Sequence, residues 1–143
     1  MKVYSGENIR NVAMVGHGHA GKTTLLSAML YTAVATPRLG RVDDGSATTD
    51  HDEEEIARKM SIAAAAAYVE WGKTKINVID TPGFNMFVHE ARMVLPVVDA
   101  AIVVVDGVAG VEVVTQRVWK DCEEYKTPRL IVVNRMDRDR ANA

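Results

Sequence analysis

Gly16-His17-Gly18-His19-Ala20-Gly21-Lys22-Thr23 is the stretch on which the reading of this chain turns. It matches the spacing GxxxxGK[ST]. The residues before it, Asn11 to Gly16, form a short apolar run ending in glycine, which predicts a buried strand. The residues after it, Lys22 to Ala33, carry Leu26, Met29, Leu30 and Ala33 at helical spacing and predict a helix. A strand, a glycine-rich turn and a helix together make a phosphate cradle. The glycines let the backbone curl so that successive N–H groups point at phosphate oxygens. The helix adds its positive end. Lys22 supplies a point charge, Thr23 a hydroxyl for Mg²⁺, and Thr24 continues the same helical turn. At average residue usage the four fixed positions coincide by chance in roughly 3 of 100,000 windows, so chance is a poor account of them.

The pattern alternates strand and helix on moving outward. Residues 34 to 61 have no apolar period and many charges, which predicts a long loop that is functional or mobile. Ile62 to Trp71 includes five alanines but ends Tyr-Val-Glu-Trp-Gly, and with Lys75 to Asp80 it predicts a hairpin turning at Gly72. Phe84 to Leu95 predicts a short helix stopped by Pro96. Ala100 to Val105 predicts a buried strand. Val111, Val114, Val118, Cys122 and Tyr125 mark another helix, and Arg129 to Asn134 a last strand. The fold class expected is α/β: a three-layer sandwich around a mostly parallel sheet with one antiparallel strand.

Composition narrows the function classes. The chain has 143 residues, 48% of them hydrophobic, and a formal net charge of −2. That is one soluble globular domain at most, without the strong positive field of a dedicated nucleic-acid binder. No apolar run approaches the ~18–20 residues that cross a bilayer, so no membrane partner is expected. A single cysteine is in keeping with a reducing cytoplasm.

Two further motifs close predicted strands. Asn134-Arg135-Met136-Asp137 follows the guanine-reading pattern NKxD with arginine for lysine. The Asp137 carboxylate can accept from guanine N1–H and the 2-amino group together. Adenine offers neither and would leave the carboxylate unpaired. Asn134 would brace loop and base, and Arg135 would lay its planar head on the base. Asp80-Thr81-Pro82-Gly83 ends another strand. Asp80 there can hold Mg²⁺ through water, and the Gly83 N–H can sense a γ-phosphate.

With these residues in place the chain resembles the elongation factor G family of translational GTPases and its close paralogues. The resemblance runs through Glu7 to Val12, the phosphate loop, Gly45 to Ile62, Asp80 to Gly83, Val103 to Val111 and Val133 to Arg138. It implies GTP/GDP and Mg²⁺ as ligands, GTP hydrolysis coupled to a ribosomal step, and a ribosomal partner for the full-length factor. It implies that residues 1–143 are the amino-terminal part of the GTP-binding domain, ending before its last strand and helix, with the downstream domains absent. On that view the edge Leu130 to Val133 is open, and weak nucleotide affinity, pairing with a second copy, or marginal stability is expected. The family's Mg²⁺-binding threonine matches Ser61, so the metal set is Thr23, Ser61 and Asp80. The nucleotide set is Gly16, His17, Gly18, His19, Ala20, Gly21, Lys22, Thr23, Thr24, Asp80, Thr81, Pro82, Gly83, Asn134, Arg135 and Asp137.

Two departures bear on catalysis, for which Lys22 and position 84 are the candidates. The family histidine that positions water is Phe84 here, which neither donates nor accepts a hydrogen bond. His89 lies five residues on, about 140° around a helix and ~7.5 Å along it, and is expected at the surface. The usual acidic residue of the phosphate loop is His19. An aromatic after Asp-Thr-Pro-Gly resembles the paralogue branch more than the main factor. Three readings therefore stand: a hydrolase, a nucleotide switch with little hydrolysis, and a non-catalytic fragment. An ATP-using kinase is opposed by Asn134 and Asp137. Trp71 and Trp119 are expected as packing residues, Asp50 to Glu55 as a solvated surface, the methionines as core filling and Cys122 as a buried thiol.

Overall fold

The structure is a computed structural model that describes residues 2–142. Its centre is a five-stranded sheet. The strands are β1 (Ile9–Gly16), β2 (Ala65–Trp71), β3 (Thr74–Asp80), β4 (Ala100–Asp106) and β5 (Arg129–Asn134), in the order β2-β3-β1-β4-β5. β1 runs parallel to β3 and β4, β4 parallel to β5, and β2 antiparallel to β3. The helices are α1 (Lys22–Thr32), α2 (Glu53–Arg58), α3 (Val88–Val94) and α4 (Val113–Glu124).

Strand alternation builds the two cores. Ala13 and Val15 of β1 face one way with Ala101, Val103 and Val105 of β4, against Val88, Ala91 and Leu95 and against Val114, Val118 and Cys122 of α4. Met14 faces the other way with Val78, Ile102 and Val104, against Leu26 and Leu30 of α1. Helices on both sides of the sheet bury both faces of its centre, so β4 and the end of β1 are continuous apolar runs, while the outer β2 alternates. Each fully buried Leu or Met contributes about 1.5–3 kcal/mol. Gly16 leaves β1 at φ 138°, and a Cβ there would strike the Val104 carbonyl, so only glycine makes this exit.

The α/β class and the antiparallel hairpin were legible beforehand, but several boundaries were not. The long charged segment holds α2, which Asp52 starts with a capping box closed by Glu55. β2 begins at Ala65, not Ile62, because the N–H groups of Ile62 and Ala63 go to Glu55 and that of Ala64 to Glu90. The expected helix from Phe84 is broken into a 3₁₀ turn at Asn85–Phe87, then α3. α3 ends at Val94, ahead of Pro96 as expected, and Pro96 sits near the start of the 3₁₀ turn Leu95–Val97, where a missing N–H costs little.

Trp71 corrects an expectation: it is 62% exposed on the hairpin. Trp119 does pack on the core, with the Arg129 guanidinium 4.0 Å above its ring. Met14 is core, but Met86, Met93 and Met136 are exposed. The acidic run is not wholly solvated, since Asp50 and Glu55 are buried. Cys122 is buried and His89 is exposed, as expected. Among the described residues β5 is one of the sheet's two outer strands, with Leu130 and Ile131 exposed. Among the described residues no helix is long and apolar enough to cross a membrane.

Candidate functional site

The parallel strands deliver their carboxyl ends to one rim. Register places Met14 beside Asp80, Gly16 beside Val104, and Asp106 beside Asn134. At that rim opens a cleft of about 700 Å³. Its walls are the phosphate loop from Gly18 to Thr24, the segment from Leu39 to Asp43, Asp50, the stretch Arg58 to Ser61, Gly83 and Phe84, with Arg135 at the far side.

Lys22 is buried at the floor. Its ammonium donates to the carbonyls of Gly16 (3.2 Å) and His17 (2.9 Å). Burial pushes its pKa down to about 8, and Asp80 nearby pulls the other way. Asp80 is pushed up by burial, opposed by the Thr23 hydroxyl, the Lys22 charge and the Thr49 hydroxyl. Thr23 donates to Asp80 Oδ2 at 2.7 Å and Thr49 to the same oxygen at 3.0 Å. The Ser61 hydroxyl lies 3.4 Å from that of Thr23 and donates to Asp50 at 3.2 Å. The other Asp80 oxygen is buried with no hydrogen-bond partner among the described residues. Two hydroxyls and a carboxylate with a free oxygen form the all-oxygen donor set that a hard divalent cation takes. Among the described residues no group of three or more His, Cys, Asp or Glu is placed to hold a metal, so any cation here relies on the hydroxyls. Thr49 and Asp50 were missed from sequence. They precede α2 in a stretch without period, and only folding carries them to Asp80.

The remaining residues divide. Gly18, His19, Gly21 and Thr24 line the cleft. His17 turns its ring away: Nδ1 accepts from the Val114 N–H at 3.4 Å and Nε2 faces Glu112 at 3.4 Å. Ala20 is buried, and its carbonyl accepts from the Asn134 amide at 2.9 Å, so Asn134 braces the phosphate loop. Thr81 is turned inward and donates to the Met14 carbonyl at 2.7 Å, and Pro82 is buried, so neither side chain reaches the cleft. Arg135 reaches the rim, but its guanidinium is held by Asp106 at 2.7 Å. Asp106 also accepts the N–H groups of Val108 (2.8 Å) and Ala109 (3.2 Å). These bonds hold its carboxyl below the usual range, the Val108 N–H first. Asp137 is exposed.

Glu55 is the other residue that sequence reading passed over. Its carboxylate accepts from four backbone N–H groups, those of His51, Asp52, Ile62 and Ala63 at 2.8–3.2 Å. It therefore clasps the two ends of the segment that presents Ser61. Glu55→Ala leaves these donors without a partner, at about 1–3 kcal/mol each before relaxation. The expected result is a rise of about 10²-fold or more in amide hydrogen exchange at Ile62 and Ala63, read by NMR, with β4 unaffected.

The fold and the cleft define a class: an α/β nucleotide-binding domain with a phosphate loop after its first strand. The elongation factor Tu GTP binding domain family matches residues 7–143. The chain belongs to that family, whose ligand is a guanine nucleotide, and it corresponds to the GTP-binding part of elongation factor G-like translational GTPases. It is 42% identical over 132 residues to the mitochondrial ribosome-releasing factor 2 of Scheffersomyces stipitis, covering 92% of this chain and 16% of that one. It is 40% identical over 139 residues to elongation factor G of Dehalococcoides mccartyi, covering 97% of this chain and 20% of that one. A crystal structure of a Thermus thermophilus protein superposes with TM-score 0.88 at 40% identity, over 92% of this chain and 20% of that one. The chain thus spans a fifth or less of the length of these relatives.

Proposed function

We propose that this chain binds GTP and GDP with Mg²⁺, and that within a longer protein it hydrolyses GTP to drive a ribosomal step such as translocation. The observation that carries this reading is the convergence of Lys22, Thr23, Ser61, Asp80 and Gly83 on one cleft, with Asn134 fastened to its phosphate loop. Lys22 would exchange two carbonyl partners for phosphate oxygens. Thr23 and Ser61 would hold the cation directly, with Asp80 and Asp50 behind them. The cation would neutralise charge on the phosphates. Asp137 would read the base. The one buried thiol is in keeping with a reducing cytoplasm.

A second reading is a nucleotide switch with little hydrolysis. Phe84 favours it, having no polar atom with which to place water. A fluorescent-GDP titration with Mg²⁺, competed by GTP, ATP and ADP, tests the first reading. Displacement by guanine nucleotides alone supports it, and no binding by the folded chain sinks it. Phosphate release with and without ribosomes then separates hydrolase from switch. We further propose that the exposed β5 edge at Leu130 to Val133 pairs with a second copy. Light scattering is expected to show a dimer, and Ile131→Lys to shift it to monomer.

A further inference from the structure

Phe84 does more than lack a polar atom. Its ring rests on the bare backbone of Gly18: a Cβ at position 18 would lie 3.0–3.2 Å from three ring atoms. On the neighbouring side the His19 imidazole meets it edge-to-face, centroids 5.1 Å apart at 88°. The turn before it is equally close, since a Cβ on Gly83 would strike the Lys22 ammonium and the His17–Gly18 peptide. The backbone leaves no room for a Cβ at 83 and little at 18, where the Phe84 ring fills the space. The ring is half-buried and lines the cleft beside Gly18, Lys22 and Gly83.

We propose that Phe84 is an apolar cover, seated on Gly18 and His19, that keeps solvent water from the terminal phosphate. This rests on the guanine-nucleotide reading and deepens it by assigning how hydrolysis is restrained. Hydrolysis joins a water oxygen to the γ-phosphorus and breaks the bond to the β–γ bridging oxygen. That oxygen leaves with GDP, and the proton lost by the attacking water passes to phosphate or solvent. A ring over the attacking side slows the first of these events by excluding the nucleophile. His19 is the positioning residue that holds the ring at its edge.

An imposed restraint and a mere missing group predict opposite results. If Phe84 only lacks the polar function, Phe84→Ala cleaves GTP no faster than the parent, and Phe84→His alone is quicker. If it is a cover, Phe84→Ala is faster. The experiment is single-turnover GTP cleavage by this chain with Mg²⁺, without ribosomes, beside fluorescent-GDP titrations of each variant. The expected result is a rise of about 10-fold or more for Phe84→Ala, a smaller rise for His19→Ala and little change for Phe84→Leu, which keeps an apolar side chain in place. GDP affinity should hold within about threefold for Phe84→Ala and Phe84→Leu. Gly18→Ala adds a methyl where the ring sits and provides a second route: cleavage per bound GTP should again rise. Unchanged or slower cleavage in both Phe84→Ala and Gly18→Ala, with GDP still bound, overturns the cover and leaves the nucleotide reading intact. Failure of the parent chain to bind GDP overturns both.

Discussion

Lys22→Met is expected to weaken GDP binding by about 10²-fold or more while leaving the empty protein more stable. The two effects share one cause. The ammonium is buried, its hydrogen-bond partners among the described residues are two carbonyls, and burial pushes it down to about 8. Phosphate oxygens would give it full anionic partners, and each charge-assisted bond is worth about 1.5–3 kcal/mol. Methionine keeps the apolar stem without the buried charge, so it loses the ligand contact and removes the desolvation cost. Fluorescent-GDP titration and urea denaturation measure the two sides. Equal stability of parent and variant would contradict the account.

The pH dependence follows from the same group. A lysine whose folded pKa lies below its unfolded value makes the folded state release its proton first. Between about 8 and 10.5 the unfolded chain binds more protons, so stability rises with pH across that window. At about 1.4 kcal/mol per pH unit the full effect is roughly 3 kcal/mol. Lys22→Met should abolish the rise. Nucleotide binding at pH 9 should take up close to one proton, since phosphate restores the charged form. Calorimetry in buffers of different ionisation heat reads that number directly.

Asp137→Ala is expected to erase base selection. Its carboxylate is the group that would accept from guanine N1–H and the 2-amino group. Polar matching of that kind discriminates by about 10⁴. Without it GDP affinity should fall by about 10³-fold and the preference over ADP by a similar factor. Asp137 is exposed, so the thermal midpoint should not move, and lost binding could not be blamed on unfolding. Competition titration with ADP is the test. A variant that still prefers GDP by several thousandfold would move base reading to another residue.

How much of this was legible before the fold depends on the length scale of each signal. The strand ends and the phosphate loop were readable because their chemistry is local: glycines, a lysine and a threonine within eight residues. The antiparallel hairpin was readable from apolar runs meeting at Gly72. Glu55, Asp50 and Thr49 were not, because their partners lie between three and thirty-one positions away and no period links them. Their stretch looked like solvated charge. One glutamate is in fact consumed by backbone amides, and one aspartate is buried against Ser61. Trp71 shows the converse: aromatic content alone said core, while its place on a hairpin put it in solvent. Phe84 was legible as an absence, yet its seat on Gly18 needed two loops sixty-six residues apart to meet.

The strand order has a last consequence. The phosphate loop leaves β1 and the loop that carries Asn134 to Asp137 leaves β5, with only β4 between them. Two inter-strand spacings put those exits about 10 Å apart, and the Asn134–Ala20 bond pins the two loops together across the gap. The sheet therefore acts as a ruler. If the chain reads the base as proposed, a free base or a free pyrophosphate would touch one mark only, whereas a molecule carrying both at the right separation would touch both. On that reading, selection by length would be set by the backbone, ahead of any side chain that reads the chemistry at either end.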